Sequence, residues 1–114
     1  MAFDFADYKR AVEDKDADRW ASFYLDEAVW VEYRHTNPPR APNVMSGCDT
    51  IRTFIARICS QPIQIAIEEE LVTADRAAFR LTVTLVDKSR IIEHIMIDFP
   101  NGKISRQVDV EAWD

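Results

Sequence analysis

The sequence predicts one domain of the α+β class, in which the helices and most of the strands occupy separate parts of the chain. Three observations support this prediction. Apolar side chains recur at helical spacing near the start, one further helical segment begins at Gly47, and strand-like segments, two of them with alternating apolar residues, follow from Ile63. Strands that follow helices instead of alternating with them are typical of α+β proteins. At 114 residues the chain has the size of a single domain, spanning 1–114.

Two helices are predicted before the first strand. Asp4 can cap the first helix, and Asp16 or Asp18 can cap the second, because an Asp side chain accepts from a free N–H of the first turn. The apolar stripes at three- and four-residue steps comprise Phe5, Tyr8 and Val12 in the first helix and Trp20, Phe23 and Tyr24 in the second.

The first strand and a long loop follow. Ala28–Arg34 is rich in β-branched and aromatic residues, which indicates a strand. Asn37–Pro42 contains three prolines, and these fix φ and lack the N–H that a strand or helix needs. The sequence therefore predicts a loop of about a dozen residues here, a length often found in pocket walls.

A third helix is predicted from Gly47 to the residues before Pro62. Its apolar positions, Ile51, Phe54, Ile55 and Ile58, have helical spacing. Cys48 and Cys59 lie on this helix, eleven residues apart, which at 1.5 Å per residue separates them by roughly 16 Å. That distance excludes a disulfide between them.

Four strands are predicted in the second half, joined as a meander. They lie at Ile63–Glu68, Phe79–Val86, Ile91–Phe99 and Lys103–Trp113. The last two are joined by Asn101-Gly102, a dipeptide that strongly favours a tight hairpin turn.

Composition argues against several classes of partner. The formal charge is −6, from 14 basic and 20 acidic residues, whereas nucleic-acid binding needs concentrated positive charge. Arg34, His35 and Arg40 share a loop, but they form no basic surface. The longest apolar run is Ala28–Val31, too short to span a membrane, and the N-terminus lacks the pattern of a secretion signal. We expect a cytoplasmic protein that binds neither nucleic acid nor membrane.

Metal and cofactor sites are not expected either. The chain has two histidines, and His94 would lie about 13 Å from Asp98 along one strand, so no ligand cluster forms there. Gly47 and Gly102 are the only glycines, which excludes a glycine-rich phosphate loop.

Three stretches, spread over nearly the whole chain, carry a resemblance to a known family: Val12–Trp30 with its Asp26-Glu27-Ala28, Gly47–Phe54, and Asp98–Ile104. In this order and spacing they resemble the SnoaL-like and ketosteroid-isomerase-like branches of the nuclear transport factor 2-like fold. The resemblance implies a curved, mostly antiparallel (mixed) sheet that wraps the N-terminal helices as a cone. It also implies a pocket on the concave face and dimers formed through the sheet.

The resemblance also implies site residues. Aligned without gaps to ketosteroid isomerases, Glu32 falls on the catalytic base, Tyr8 on the hydroxyl that stabilises the developing oxyanion, and Tyr24 on a supporting tyrosine. The position of the second oxyanion donor falls on Ile95 or His94, neither of which is the acid of those enzymes. We therefore expect a related acid–base reaction and not a steroid isomerase.

Strand alternation leaves the orientation of these residues open. Glu32 shares a face with Trp30 and Arg34, and it is either a pocket carboxylate or a solvated side chain. Tyr8 and Tyr24 serve either the site or the core. Glu93 is either a pocket carboxylate or the solvated end of a strand, and His94, on the opposite face, is either a proton-transfer group or structural.

The predicted function is that of a small-molecule pocket protein, in the form of a cofactor-free isomerase, polyketide-cyclase-like enzyme or dehydratase (a lyase). It would act on an apolar carbonyl compound by carboxylate general acid–base chemistry. The alternative is a non-catalytic ligand-binding or dimerisation domain. The predicted catalytic residues are Glu32, Tyr8 and His94, and the predicted ligand-binding residues are Tyr24, Trp20, Trp30, Phe54 and Glu93. The expected partners are an apolar small molecule and a second copy of the chain.

Overall fold

The computed structural model describes residues 2–114 and has the α+β class that the sequence predicts. Its elements, in chain order, are α1 Phe5–Glu13, α2 Ala17–Ala21, β1 Tyr24–Tyr33, β2 Asn43–Ser46, α3 Cys48–Cys59, β3 Gln64–Val72, β4 Arg76–Thr84, β5 Arg90–Asp98 and β6 Ile104–Trp113. Cys48 and Cys59 are free and stand at opposite ends of α3. No helix in the described range is long and apolar enough to cross a membrane.

One six-stranded sheet has the strand order β2-β1-β6-β5-β4-β3. Every neighbouring pair is antiparallel except β1 and β6, which are parallel and pair Trp30 with Gln107 and Glu32 with Asp109. This single parallel pair makes the sheet mixed, as expected, and it places the first and last strands side by side. Residues that are far apart in sequence therefore meet in the middle of the sheet.

Local capping explains where the helices begin. Asp4 accepts from the Asp7 N–H at 3.0 Å, and Asp16, one of the two predicted candidates, accepts from the Arg19 N–H at 3.3 Å. Gly47 precedes α3 with φ of 91°, a backbone conformation that side chains with a Cβ disfavour.

The start of β1 and the whole of β2 differ from the prediction. Tyr24, predicted on a helical stripe, begins β1 and pairs with Ile104, because α2 ends after only five residues. The helical spacing was therefore misleading at this position. β2 follows the proline-containing loop and pairs antiparallel with β1, with Asn43 opposite Glu32. β2 is short, and the sequence pattern gave no sign of it.

The helices cover one face of the sheet, here called the inner face, and leave the outer face open. Inner-face positions of β3, β4 and β5 are mostly apolar, and Ile67, Phe79 and Ile97 are at most 3% exposed. On β6 the usual pattern is reversed. Gln107 and Asp109 are buried on the inner face, whereas Val110 is 55% exposed on the outer face. The middle of the inner face is therefore polar and is surrounded by apolar side chains.

Candidate functional site

Three carboxyl groups converge on the inner face of the sheet. Glu32 lies on β1, Asp109 on the neighbouring strand β6, and Glu93 on β5, the next strand along. One carboxylate oxygen from each lies within 4.8 Å of the others. Glu32 and Asp109 are 4% and 0% exposed, and Glu93 is partly buried. We call these three residues the carboxylate cluster.

Both oxygens of Asp109 accept hydrogen bonds. The indole N–H of Trp30 donates to Oδ2 at 2.7 Å, and Nε2 of Gln107 donates to Oδ1 at 3.0 Å. The hydroxyl of Tyr24 in turn donates to Oε1 of Gln107. Tyr24 therefore positions the amide that positions Asp109. Donors on both oxygens favour the ionised form of a carboxyl group.

Burial keeps protons in the cluster at neutral pH. Loss of solvation raises the pKa of Asp109 to about 8, and the charge of Glu32 adds to this effect. Burial also raises the pKa of Glu93 well above its usual range, assisted by the charges of Asp109 and Glu111. Because Asp109 accepts two hydrogen bonds, it takes the negative charge before Glu93 does. Of these two carboxyl groups, Glu93 is therefore the one whose protonated form is favoured more strongly.

Glu32 differs from the other two carboxyl groups in its ionisation. Burial raises its pKa to about 6, although Nδ2 of Asn43 donates to its Oε1 at 3.0 Å and favours the ionised form. At pH 7 most Glu32 side chains are therefore carboxylates, next to a Glu93 whose pKa burial raises well above its usual range. The cluster therefore contains carboxyl groups with different proton affinities.

An apolar cavity of about 300 Å³ opens onto the cluster between α3 and the inner faces of β4, β5 and β6. Its walls include Glu32, Phe54, Ile58, Ile63, Val83, Leu85, Ile91, Glu93 and Trp113. Behind Glu32 and Glu93 lies a small chamber of about 30 Å³ that is also lined by Trp20, Trp30 and Gln107. The chamber has room for roughly one water molecule.

Three aromatic residues predicted to bind ligand stand in the walls of these two spaces. Phe54 lines the cavity and packs edge-on against Trp30, with ring centroids 5.3 Å apart. Trp30 stacks on Tyr24 at 6.0 Å, and Trp20 lies 6.4 Å from Trp30. The three side chains shape the cavity and do not fill it.

Tyr8 is more deeply buried than expected for a residue that contacts a ligand. It is fully buried within an aromatic cluster that includes Phe5, Phe23 and Phe79, and it lines neither the cavity nor the chamber. Its hydroxyl has no hydrogen-bond partner among the described residues. Burial, with the charge of Asp109, raises the pKa of this hydroxyl, so it is protonated. The structure does not bring Tyr8 to the cavity wall.

His94 is not part of this site. It is exposed on the outer face, where it pairs with Val110, while its neighbour Glu93 points into the cavity. Alternation along β5 forces the two side chains to opposite faces. The predicted grouping of His94 with Glu32 is therefore corrected, because the sheet separates them.

Sequence reasoning missed Asn43, Gln107 and Asp109. The usual rule that apolar side chains face the core predicts that Val108 and Val110 point inward and that Asp109 is exposed to solvent. The available signal was that Gln107, Asp109 and Glu111 alternate strictly with small apolar residues. This alternation indicates a buried polar site only once β6 is known to lie beside Glu32. The parallel pairing of β1 with β6 that places it there joins opposite ends of the chain, so the sequence pattern alone does not reveal it.

The cluster could offer three oxygen atoms to a cation, but its surroundings suit protons better. Trp30 and Gln107 already donate to both oxygens of Asp109, and burial favours protonated carboxyl groups over ionised ones. These surroundings therefore favour bound protons over a metal ion at the cluster.

Comparison with known proteins identifies relatives of this fold. The family model of the SnoaL-like domain matches residues 5–107. A nuclear transport factor 2-like protein of unknown function from Mesorhizobium loti is 17% identical, with a TM-score of 0.80 over 95% of this chain and 87% of that one. A proposed ketosteroid isomerase from Kribbella flavida is 16% identical, with a TM-score of 0.75 over 96% and 74%.

A third similar structure is SalBIII, an epoxide hydrolase/cyclase-like enzyme with a role in pyran ring formation in the polyether salinomycin. It is 16% identical, with a TM-score of 0.70 over 95% of this chain and 87% of that one. No curated protein matches the sequence. At these identities the structural matches establish the fold.

Proposed function

Because this chain belongs to the SnoaL-like domain family of the nuclear transport factor 2-like fold, we propose that it binds a small, largely apolar molecule and transforms it by general acid–base chemistry. The observation that carries the proposal is the carboxylate cluster at the inner end of an apolar cavity. Buried acids with strongly shifted pKa values are characteristic of catalytic sites.

Glu32 is the general base in this proposal. With a pKa of about 6, it is ionised at neutral pH and still basic enough to remove a proton from carbon beside a carbonyl group. The proton then resides on the carboxyl group of Glu32. Its delivery to another carbon of the same molecule completes an isomerisation, and no cofactor is needed.

Glu93 is the proton donor. Its neutral carboxyl group lines the same cavity and can donate a hydrogen bond to the ligand oxygen that gains negative charge. Asp109, held by Trp30 and Gln107, lies beside Glu93, and any negative charge on Asp109 favours the protonated form of Glu93. Asp109 and Tyr24 act as positioning residues, because neither lines the cavity.

The same base and acid serve two reactions that the relatives suggest. One is the isomerisation of a carbonyl compound, as in the proposed ketosteroid isomerase. The other is ring closure onto an epoxide, in which Glu32 takes the proton of the attacking hydroxyl and Glu93 protonates the oxygen that is released. SalBIII, with its role in pyran ring formation, points to the second. A binding domain without catalysis is the alternative.

Proton exchange tests the shared first step without knowledge of the natural substrate. Cyclohexanone and phenylacetone would be incubated with the protein in D₂O, and the loss of their α-proton signals would be followed by NMR. We expect the protein to accelerate exchange, with a rate that rises as pH passes through about 6. Glu32→Gln should reduce the acceleration about 100-fold or more, the contribution typical of a general base.

Glu27→Gln is the matched control, because Glu27 is an exposed glutamate on the same strand. It should exchange protons at the wild-type rate. If both variants exchange at the wild-type rate, or if the wild-type protein gives no acceleration, Glu32 is not a general base and the binding-domain alternative is favoured.

A further inference from the structure

Two arginines stand at the mouth of the cavity, and from them we infer that the ligand is an amphipathic anion. Arg34 directly follows β1, and Arg57 lies in the last turn of α3. Both line the apolar cavity on the side away from the inner chamber. This inference rests on the proposed function, since it assigns the ligand of the same cavity.

The charges of both arginines are incompletely compensated. The Nε–H of Arg34 is buried and has no hydrogen-bond partner among residues 2–114, although the atom forms a long ion pair with Oε1 of Glu111 at 4.0 Å. Within residues 2–114, no carboxylate lies within 4.0 Å of the Arg57 guanidinium. By contrast, Arg76 is held by Asp98 at 2.7 Å. The mouth therefore offers guanidinium donors that a ligand can use.

A polar space beside the mouth provides room for an anionic group. This space, of about 400 Å³, is lined by Arg34, Arg57, Asn43, Thr50 and Thr53. Phe54 lines both this space and the apolar cavity and so forms the wall between them. Guanidinium and hydroxyl groups around one space suit a carboxylate or phosphate, which takes paired hydrogen bonds from arginine.

Electrostatics sets the orientation of the ligand. A negative group beside the Glu32 carboxylate would be repelled, whereas the same group beside Arg34 and Arg57 is attracted. The anionic end therefore stays at the mouth. The apolar body lies along Ile58 and Val83, and an uncharged oxygen-bearing end reaches Glu32 and Glu93. The inferred ligand is a small apolar acid with a second, neutral oxygen function.

A charge-matched series of probes tests the inference. Binding of 4-phenylbutyrate, 4-phenylbutyl phosphate, 4-phenylbutanol and 4-phenylbutylamine would be measured by NMR titration of the whole protein. We expect one or both anions to bind about tenfold or more tightly than the alcohol, as expected for hydrogen bonds to charged groups. The order of the two anions identifies the head group as carboxylate or phosphate.

Arg57→Gln should abolish this preference, and Arg57→Lys should retain part of it. Arg57 is exposed, so neither change should disturb folding, and circular dichroism checks this. Arg106→Gln, an exposed arginine on the outer face, is the control and should bind like the wild type. The inference is overturned if the series shows no preference for anions, including no binding at all, or if Arg57→Gln keeps the preference. Proton exchange of neutral ketones does not involve Arg57, so the proposed chemistry could still stand in that case.

Discussion

The indole N–H of Trp30 donates to Oδ2 of Asp109 at 2.7 Å, and this buried contact links β1 and β6, the first and last strands in chain order. The contact exists because β1 and β6 are parallel neighbours, with Trp30 opposite Gln107 and Glu32 opposite Asp109. A carboxyl group as deeply buried as that of Asp109 is tolerated only when its oxygens are hydrogen-bonded. Trp30 thus both lines the chamber and supports the cluster.

Trp30→Phe should destabilise the fold by about 2 kcal/mol or more, because it removes a hydrogen bond to a buried acid and leaves Asp109 under-satisfied. Trp113→Phe is the matched control. Its indole also donates to a carboxylate, Oε1 of Glu111 at 2.8 Å, but Trp113 is 41% exposed. Chemical denaturation measures both variants. Equal losses of stability in the two would contradict the role assigned to Trp30.

Stability should fall as pH rises from 5 to 8. The pKa of Glu32 is raised from 4.5 to about 6 and that of Asp109 from 3.8 to about 8 in the fold. At a pH between the pKa of the unfolded state and the pKa of the folded state, the native protein binds more protons than the unfolded chain. Increasing pH therefore favours unfolding. The shift at Glu32 corresponds to about 2 kcal/mol.

Glu32→Gln should remove that part of the pH dependence and stabilise the protein at pH 8, while Glu27→Gln should leave the profile unchanged. Thermal unfolding followed by circular dichroism at several pH values provides the measurement. A wild-type stability that is flat or rises between pH 5 and 8 would show that these carboxyl groups are not shifted upward.

Tyr8→Phe and Tyr24→Phe each remove a hydroxyl oxygen from a buried ring, but only Tyr24→Phe should lower the free energy of unfolding. The Tyr24 hydroxyl donates to Gln107, so its loss should cost about 1 kcal/mol or more. The Tyr8 hydroxyl has no hydrogen-bond partner in the described part of the chain, so its removal should be neutral or stabilising. Both are measured by denaturant unfolding. A larger loss of stability for Tyr8→Phe would indicate a hydrogen bond, through water or ligand, that engages this hydroxyl.

The outer face should form a homodimer interface. Met96, Val110 and Tyr33 are exposed there at 41%, 55% and 36%, and helices cover only the opposite face. Light scattering should give twice the chain mass of 13.2 kDa at micromolar concentration, and Val110→Glu should shift the protein toward the monomer. Gln64→Glu changes an exposed residue on the edge strand β3 and should not shift the protein toward the monomer. A wild-type monomer would refute the interface.

The fold was largely predictable because local patterns determine most of it. Asp4 and Asp16 mark helix starts, alternation marks β3 to β6, and Gly102 takes a φ of 86° at the hairpin. β2 escaped prediction because a four-residue strand has too short a pattern. Tyr24 was misplaced because spacing alone does not show where a short helix ends.

The site was only partly predictable. Glu32 was found because the family resemblance marks it, and Glu93 because an acid on an apolar strand face is unusual. Asp109 was not found, since its burial depends on Trp30 and Gln107 as hydrogen-bond partners, and Trp30 becomes its neighbour only in the folded sheet. The assignment of catalytic roles to these residues remains a prediction.

Glu32, Glu93 and Asp109 should share protons at neutral pH, and a titration of their side-chain carboxyl carbons by ¹³C NMR would measure this directly. Glu32→Gln, Glu93→Gln and Asp109→Asn would assign the three signals. We predict that the Glu32 signal titrates near pH 6 and that at least one of the other two remains protonated above pH 7. If all three signals complete their titration below pH 5, the cluster is three ordinary carboxylates and the acid–base account is wrong.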